Sequence, residues 1–517
     1  MTNAIDVLVV GAGPTGSVLA IDLARRGLKV RIIEKNAHSF PGSRAKGLQP
    51  RTLELLHDLG AIDAILEAGG LYPLMGVHQG DEIVPRLMYN NIDQSDDAPF
   101  PNTCLIAQYQ TDAILHRRLT ELGIDVEFNT ELIAFEQDAN TVTATLRKAG
   151  STETVLCKYM VGADGGASTV RETLGVPFPG KTDESDRMII VDSLVDGLSR
   201  EYWHAWMSEN NRFTVACPLP GGDVFQWMIQ LQEGEEPDLS EAALNERIQR
   251  NTKPSELRIH DISWTTVFRP NIRLAEDYRI GRILLAGDAA HVHTPMGAQG
   301  LNTGVQDAYN LGWKLHQVIS GAPNALLDTY EAERQPLAAA VLEMSTKKYE
   351  AAARSDPETL ERGKDEQQLL ITYRAGPLGR GNRPGTSRLQ IGDRAPDAKL
   401  EDHEGQPTSL FELLKGPQFS IIGYGEKAAR KVALLKWPKR GAQLKRIVVA
   451  KQVPDIIGLV ACSDANGSLR TIYGLKENTI CLIRPDGYIG LIAEADSLET
   501  LRADLAPFLP QTEPVDA

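Results

Sequence analysis

Cysteine is scarce in this chain and never closely paired. Five thiols (Cys104, Cys157, Cys217, Cys462 and Cys481) in 517 residues make an odd total with no Cys-x-x-Cys spacing. That pattern points to reduced, mostly buried thiols in a cytosolic enzyme. Long apolar runs are missing too: nothing approaches the roughly 18 residues a membrane span needs. The stretch from Met1 to Gly13 lacks the basic region and long apolar core of a signal peptide. Positive charge is in deficit. Fifty-four Lys plus Arg against 69 Asp plus Glu leave a net charge of −15, which argues against nucleic acid and anionic membranes as main partners. A local basic funnel for an anionic cofactor remains compatible with it. No internal repeat is visible. What is left is a soluble, cytoplasmic composition, 42% hydrophobic and 24% charged, with a length that suggests about two to four domains.

Glycine, by contrast, is present at telling places. Val7 to Val10 is continuously apolar and reads as a buried strand. It runs into Gly11-Ala12-Gly13-Pro14-Thr15-Gly16, then a helix with Val18, Leu19, Ile21 and Leu23 on its apolar positions, then a second strand ending at Glu34. Strand, glycine turn, helix, strand and terminal acid form the dinucleotide fingerprint: the glycines let backbone approach a pyrophosphate and the acid takes ribose hydroxyls. A second strand end, Tyr159 to Val161, opens into Gly162-Ala163-Asp164-Gly165 and a helix near Ser168 to Arg171. Asp164 there can face a ligand or simply cap that helix. The third place is Arg282 to Trp313. An apolar strand stops at Gly287-Asp288, and a loop from Pro295 to Gly300 feeds a helix at Leu301-Asn302, whose unpaired N–H groups favour negative charge.

Between these lie helices expected near Pro50 to Leu59 and Gln110 to Leu122, and strands near Asp125 to Phe128 and Thr141 to Leu146. Residues 73–102 read as irregular and part of another domain. From Pro177 to Phe268 alternating apolar stretches and Trp203, Trp206, Trp227 and Trp264 suggest a mixed or antiparallel sheet, a wall for a planar substrate. A long helix should run to about Ser355, and residues 374–387 read as a linker. A compact unit follows, with strands near Phe419 to Ile422, Arg446 to Val449 and Thr479 to Ile483, helices near Leu410 to Leu414 and Leu498 to Phe508, and a hairpin turning at Pro485 to Gly487.

The three glycine motifs, in this order and spacing and with Tyr330 to Pro336 behind them, resemble the single-component FAD-dependent aromatic hydroxylases. The C-terminal unit resembles the thioredoxin-like extension of their phenol-hydroxylase and aromatic-polyketide members. The resemblance implies an α/β fold: a Rossmann-like FAD-binding domain (1–72, 103–176, 268–350), an inserted mixed-sheet substrate domain (73–102, 177–267), a helix and linker (351–390), a thioredoxin-like domain lacking Cys-x-x-Cys (391–510) and a tail (511–517). It implies FAD as cofactor and NADPH or NADH as transient co-substrate. It also implies a flavin C4a-hydroperoxide, formed with O2, that hydroxylates a phenolic or polycyclic aromatic substrate such as a polyketide or antibiotic. Gly11, Gly13, Pro14, Thr15, Gly16, Glu34 and Lys35 would hold the adenosine diphosphate part. Arg44, Gln108, Leu132, Asp164, Gly287, Asp288, Gly300, Leu301 and Asn302 would hold the rest, with Arg171 shaping the groove. Pro295 and Gly297 would wall the oxygen adduct without donating a proton. A homodimer is the candidate assembly, on which the sequence itself is silent.

Met296 and Ala298 depart from residues that are often Thr and Gly in that family, without removing a needed donor. No residue stands out as a general base; Tyr202, His78 and His204 are candidates only by lying in the substrate domain. His291 and His293, with Asp288, make a weak metal pattern, and backbone or capping contacts are the expectation instead. Baeyer–Villiger insertion or antibiotic inactivation stays open on the same scaffold, as does, remotely, a non-catalytic flavin-binding protein. Halogenation is disfavoured because a Trp-x-Trp-x-Ile-Pro motif is absent.

Overall fold

The computed structural model describes residues 5–87, 92–207, 212–252, 256–293, 298–353 (side chains to 347), 365–379, 389–450, 458–496 and 505–510. The architecture is mixed α/β, with several mixed sheets. In the first sheet, strand Ile5–Val10 lies between parallel strands Val30–Ile33 and Ser151–Gly162, and Ile283–Leu285 adds in parallel beyond the latter. As expected of a central parallel strand, Val7, Leu8 and Val9 are wholly buried. Helix Pro14–Arg25 and helix Gly300–Ile319 pack on this sheet, as does Gln108–Glu121 beside them. A hairpin, Thr130–Gln137 with Val142–Lys148, extends the same sheet. The strand expected at Asp125 to Phe128 is only a single bridge, Ile33 to Glu127, and the real strand starts at Thr130.

The second sheet has the order Arg258–Phe268, Met188–Asp196, Phe225–Gln230, Phe213–Pro218, Tyr202–Met207, Leu74–Gln79, Glu82–Arg86. All its pairings are antiparallel except Tyr202–Met207 with Leu74–Gln79. The last two strands fall within the stretch expected to be irregular: Leu74 to Gln79 pairs back on Glu82 to Arg86 across a turn with Gly80 at φ +64°. Period-two alternation then gives the sheet two different faces. Trp206, Trp227, Val191, Ala216 and Phe225 pack as a core with helix Glu241–Asn251. The four tryptophans therefore do not form one cluster. Trp264 sits opposite Asp192 on the other face, the one that meets the segment 40–49.

The C-terminal sheet runs Pro407–Ser409, Lys399–Asp402, Leu459–Ser463, Leu444–Val449, Phe419–Tyr424, Thr479–Ile483, Ile489–Glu494, with its middle three strands parallel. The expected hairpin at Pro485 to Gly487 is present. Only a short 3-10 turn, Ala506–Phe508, is described where a helix from Leu498 was expected; residues 497–504 lie outside the described set, as do most of the expected linker and the tail from residue 511. This unit is docked by buried charge. Arg484 donates to Glu333 Oε1 at 2.7 Å and to Asp486 Oδ1 at 2.9 Å, and Lys314 donates to Glu333 Oε2 at 2.7 Å. Glu333 lies on helix Asp328–Ala353 and Lys314 on Gly300–Ile319, so two helices of the first layer share one ionic cluster with the C-terminal hairpin. Among the described residues no helix is long and apolar enough to cross a membrane.

Candidate functional site: a dinucleotide groove facing an apolar sheet

The first glycine turn is shaped by backbone contact. Gly11 has φ +102°, and a Cβ there would sit 2.7 Å from the Ala163 carbonyl carbon; a Cβ on Gly16 would overlap the Gly11 carbonyl oxygen. Gly13 differs: its Cβ direction meets nothing within 4 Å. Helix Pro14–Arg25 starts there with no side-chain cap and no acid in its first turn, so an open space faces an uncompensated helix dipole, as a pyrophosphate requires. Glu34 reaches the same turn, accepting from the Ala12 N–H at 3.2 Å and from Asn36 N–H at 3.0 Å. These residues fit a dinucleotide.

Asp288 follows on the strand end, half-buried in a 3-10 turn, and its carboxylate has no partner among the described residues. The turn is pinned from below. The Gly287 N–H donates to Asp307 Oδ2 at 3.1 Å, and buried Arg171 donates to the Ala289 carbonyl at 3.0 Å. Asp307 also accepts from His291 Nε2 at 2.6 Å and Arg334 Nε at 2.7 Å. Burial pushes its carboxyl up, but His291 and Arg334 outweigh that and hold it at about 2. His291 Nδ1 in turn pairs with His293 Nε2 at 2.9 Å. The two histidines are thus links in a side-chain chain to Asp307, not backbone or capping contacts; among the described residues no cluster of three such groups could hold a metal.

Asp164 accepts from the Ser168 hydroxyl at 2.6 Å and the Val170 N–H at 3.2 Å, so its carboxylate tethers its own helix start while its Cα lies against Gly11. Asn302 is wholly buried and spends its side chain on Gln49 N–H and the Gly47 carbonyl, both at 2.8 Å. It thereby ties the start of helix Gly300–Ile319 to segment 47–49. The N–H groups of Gly300, Leu301 and Asn302 have no acceptor among the described residues, and the helix has no side-chain cap or first-turn acid. Ala298, just before it, is held at φ +53°.

Segment 42–46 crosses from this helix start to the second sheet. Cys217, Gln226, Asp192 and Trp264 are cross-strand partners in one row and share a face. Gly42 packs on the Trp264 ring, and Ser43 donates through N–H (2.7 Å) and hydroxyl (2.5 Å) to Asp192. Lys46 donates to Gln226 Oε1 and lies 4.3 Å over the Trp203 ring. Beside Trp203 runs an apolar band in which Met75, Ala205 and Val215 are buried and Val77, Phe213 and Met228 are half-buried.

Residues 4–345 match the family model "FAD binding domain" and residues 392–507 the "HcaD C-terminal domain". A flavin-dependent monooxygenase of Mycobacteroides abscessus is 37% identical over 500 residues, 95% of this chain and 97% of that one. The chain belongs to the FAD-dependent aromatic monooxygenases. Among solved structures, the monooxygenase resembles the anhydrotetracycline hydroxylase of Streptomyces rimosus (30% identity, TM-score 0.77, 99% of this chain and 100% of that one). It also resembles aklavinone-11 hydroxylase in complex with FAD and aklavinone (27%, 0.78, 99% and 100%). FAD is its cofactor, and NAD(P)H is the family's typical co-substrate.

Of the sequence-predicted residues of this monooxygenase, the structure brings together Gly11, Gly13, Pro14, Thr15, Gly16, Glu34, Asp164, Gly287 and Asp288 around the first turn. Thr15 is the link: its hydroxyl sits 2.5 Å from where a Gly287 Cβ would be. Gln108 accepts from Ala45 N–H at 3.3 Å, beside the groove, while Lys35 and Arg44 are exposed; Arg44 lies 5.9 Å from the Phe268 ring. Leu132 turns its side chain into the first sheet's core at 4% exposure, which leaves its backbone to meet a ligand. Pro295, Met296 and Gly297 lie outside the described residues. Tyr202 and His204 share the side of their strand that carries Trp206, with His78 stacked on Trp206 and bonded to His204, the face away from segment 42–46. Three neighbours were missed. His116 reaches the Ala12 carbonyl at 2.8 Å, Asp112 is a buried carboxyl pushed up to about 8 by burial, and Lys46 is described above. A single Lys, His or Asp in a helix or loop gives no sequence signal for such contacts.

Proposed function

We propose that this monooxygenase hydroxylates a polycyclic phenol, bound between the helix start at Gly300 and the apolar band around Trp203. The observation that carries the reading is that band: a continuous apolar strip, partly exposed at Val77, Trp203, Phe213 and Met228, on the sheet face that carries Asp192 and Gln226 and meets segment 42–46. A strip of that kind suits a fused-ring substrate better than a single ring. The relatives named for anhydrotetracycline and aklavinone point to the same class.

FAD, reduced by NAD(P)H and reacting with O2, supplies the transferred oxygen. The chain's own residues then do four things. Gly11 to Gly16 and Glu34 seat the adenosine diphosphate part; Asp288, held by Arg171 and Asp307, takes the middle of the cofactor. The free N–H groups of Gly300, Leu301 and Asn302 stabilise negative charge on the flavin ring. Pro295 and Gly297, which lie outside the described residues, would wall the reacting face without offering a proton donor, and apolar surroundings would keep water from wasting the oxidant as peroxide. The domains in this reading are 1–72, 103–176 and 268–350 for FAD, 73–102 and 177–267 for substrate, 351–390 as helix and linker, and 391–510 at the C-terminus. The two large sheets support the first two, and the small sheet of Gly180–Thr182, Asn271–Leu274 and His291–Val292 bridges them. For that last unit, the run of parallel strands followed by an antiparallel hairpin supports the thioredoxin-like reading. Its two cysteines, Cys462 and Cys481, are buried on different strands, which suits scaffolding rather than thiol redox. A screen of hydroxylated naphthalenes, naphthacenes and anthraquinones, reading NADPH consumption against peroxide release, tests the reading. Single-ring phenols coupling better than every fused-ring compound would refute it.

A further inference from the structure

His78 and His204 lie on the far face of the substrate sheet, and His260, at the sheet's edge strand, is paired with Asp196 and Asp261, whereas the face turned toward the flavin groove carries a buried amine. Lys46 is 9% exposed, and Gln226, which accepts from it, is 2% exposed. Gln226 is itself held, donating to the Ser43 carbonyl at 2.8 Å and to the Ser43 hydroxyl at 2.6 Å, so the amine's direction is fixed. On one side Nζ lies over Trp203, a member of the apolar band. On the other, the backbone of the next residue touches the flavin end of the site: Gly47 accepts from Asn302, and its Cβ direction ends 3.1 Å from the Ala298 Cβ. Lys46 therefore spans the gap between the helix start and the substrate wall. An amine needs a reason to be there, since an isolated buried ammonium is costly. No carboxylate ion-pairs with it among the described residues. The titratable groups near it are Asp192, committed to Ser43, and the Cys217 thiol, both pushed toward their neutral forms by burial. Burial likewise favours Lys46 as the neutral amine.

We propose that Lys46 is the base that ionises the substrate's phenolic hydroxyl, with Gln226 orienting its amine and Trp203 supporting the ring. In that step the phenol O–H bond breaks, its electron pair stays on oxygen, and the proton forms a new N–H bond on Nζ. The result is a phenolate paired with the Lys46 ammonium. Ionisation makes the ring carbon beside the oxygen a stronger nucleophile toward the transferred oxygen atom, and the ammonium returns its proton to the product oxygen.

The proposal rests on the phenolic-substrate reading, and the test separates the two. FAD-loaded wild type, Lys46→Met and Lys46→Arg are titrated with hydroxyanthraquinones, led by 1,4-dihydroxyanthraquinone, whose phenolate is violet and clear of the flavin absorbance. Wild type is expected to lower the pH midpoint of the bound probe's ionisation by about 1–3 units. Lys46→Met, with equal FAD content, should lose that lowering and lose kcat by about 10²–10⁴-fold. Lys46→Arg, which keeps a cation but has no lone pair to accept a proton, should keep the lowering and still lose turnover. An unshifted midpoint in wild type, or an identical midpoint in wild type and both variants, would overturn the role of Lys46 while leaving the monooxygenase assignment intact. Failure of every hydroxyanthraquinone to bind wild type would overturn the polycyclic-phenol reading itself, and the base with it.

Discussion

Removing one charge from the buried cluster behind the site should loosen the whole enzyme. Glu333→Gln keeps the shape of the side chain but leaves Lys314 and Arg484 short of a counter-charge. Glu333 is 3% exposed, and its carboxylate accepts from Arg484 at 2.7 and 3.0 Å, from Lys314 at 2.7 Å and from Asn310 at 2.8 Å. Burial alone would raise its pKa, but the two cations outweigh burial and hold it at about 2 against an ordinary 4.5. That difference of about 2.5 units corresponds to ~3 kcal/mol of stability. Breaking a buried pair costs about 3–5 kcal/mol on mutational experience, so the two routes agree in size. Because the folded pKa lies below the unfolded one, this stability is fully present above about pH 4.5 and is lost as the pH falls toward 2. Thermal unfolding of Glu333→Gln at pH 7 should shift down by about 5–10 °C, with a shallower loss of stability between pH 4.5 and 3 than wild type. Limited proteolysis should then release the C-terminal unit sooner. A Lys314→Met/Glu333→Leu double variant should recover most of the loss, since apolar replacement of a buried pair is often neutral. An unchanged melting temperature with the wild-type acid profile would refute the reasoning.

Three further outcomes follow from single positions. Ala298→Gly should stabilise by about 1 kcal/mol, read as a higher melting temperature, because alanine is strained at φ +53°; a destabilised variant would contradict that. Gly304→Ala puts a Cβ 3.1 Å from Gly287 Cα and against the Thr15 hydroxyl. It should therefore lower the FAD-to-protein absorbance ratio of purified enzyme severalfold, without a comparable loss of secondary structure. Asp112 has a folded pKa of about 8, raised from 3.8 by burial, so its contribution is present below pH 4 and lost as the pH rises through 8. Asp112→Asn should accordingly melt a few degrees above wild type at pH 8 and gain nothing at pH 4; equal differences at both would contradict it.

The FAD-binding half was legible because its signals are local. Val7 to Val10, Gly11 to Gly16 and Glu34 carry strand, turn and acid within one short stretch, so the pattern could be read before its distant contacts, Ala163 against Gly11 and Gly287 against Thr15, were known. The edge strands Leu74–Gln79 and Glu82–Arg86 were not legible: half-exposed and broken by Gly80, Asp81 and Pro85, they earn their pairing from Tyr202 to Ala205, more than a hundred residues away. The tryptophans misled for a related reason. Composition places Trp203 and Trp206 together, but an odd spacing on one strand puts them on opposite faces. Lys46 and Asp307 are invisible in sequence because their meaning comes from Gln226, Trp203, His291 and Arg334, each brought by a different element. His291 and His293 carried a faint signal in their alternate spacing, and the partner of His291 is a carboxylate on helix Gly300–Ile319.

The most direct measurement is the stoichiometry of coupled turnover. FAD-loaded enzyme is given limiting NADPH, dissolved O2 and each member of a fused-ring phenol series, and hydroxylated product and hydrogen peroxide are counted together. The account predicts at least one fused-ring phenol that accelerates NADPH oxidation and yields close to one hydroxylated product per NADPH, with little peroxide. NADPH oxidation that no aromatic compound accelerates, or that ends wholly in peroxide with every fused-ring phenol, would contradict it.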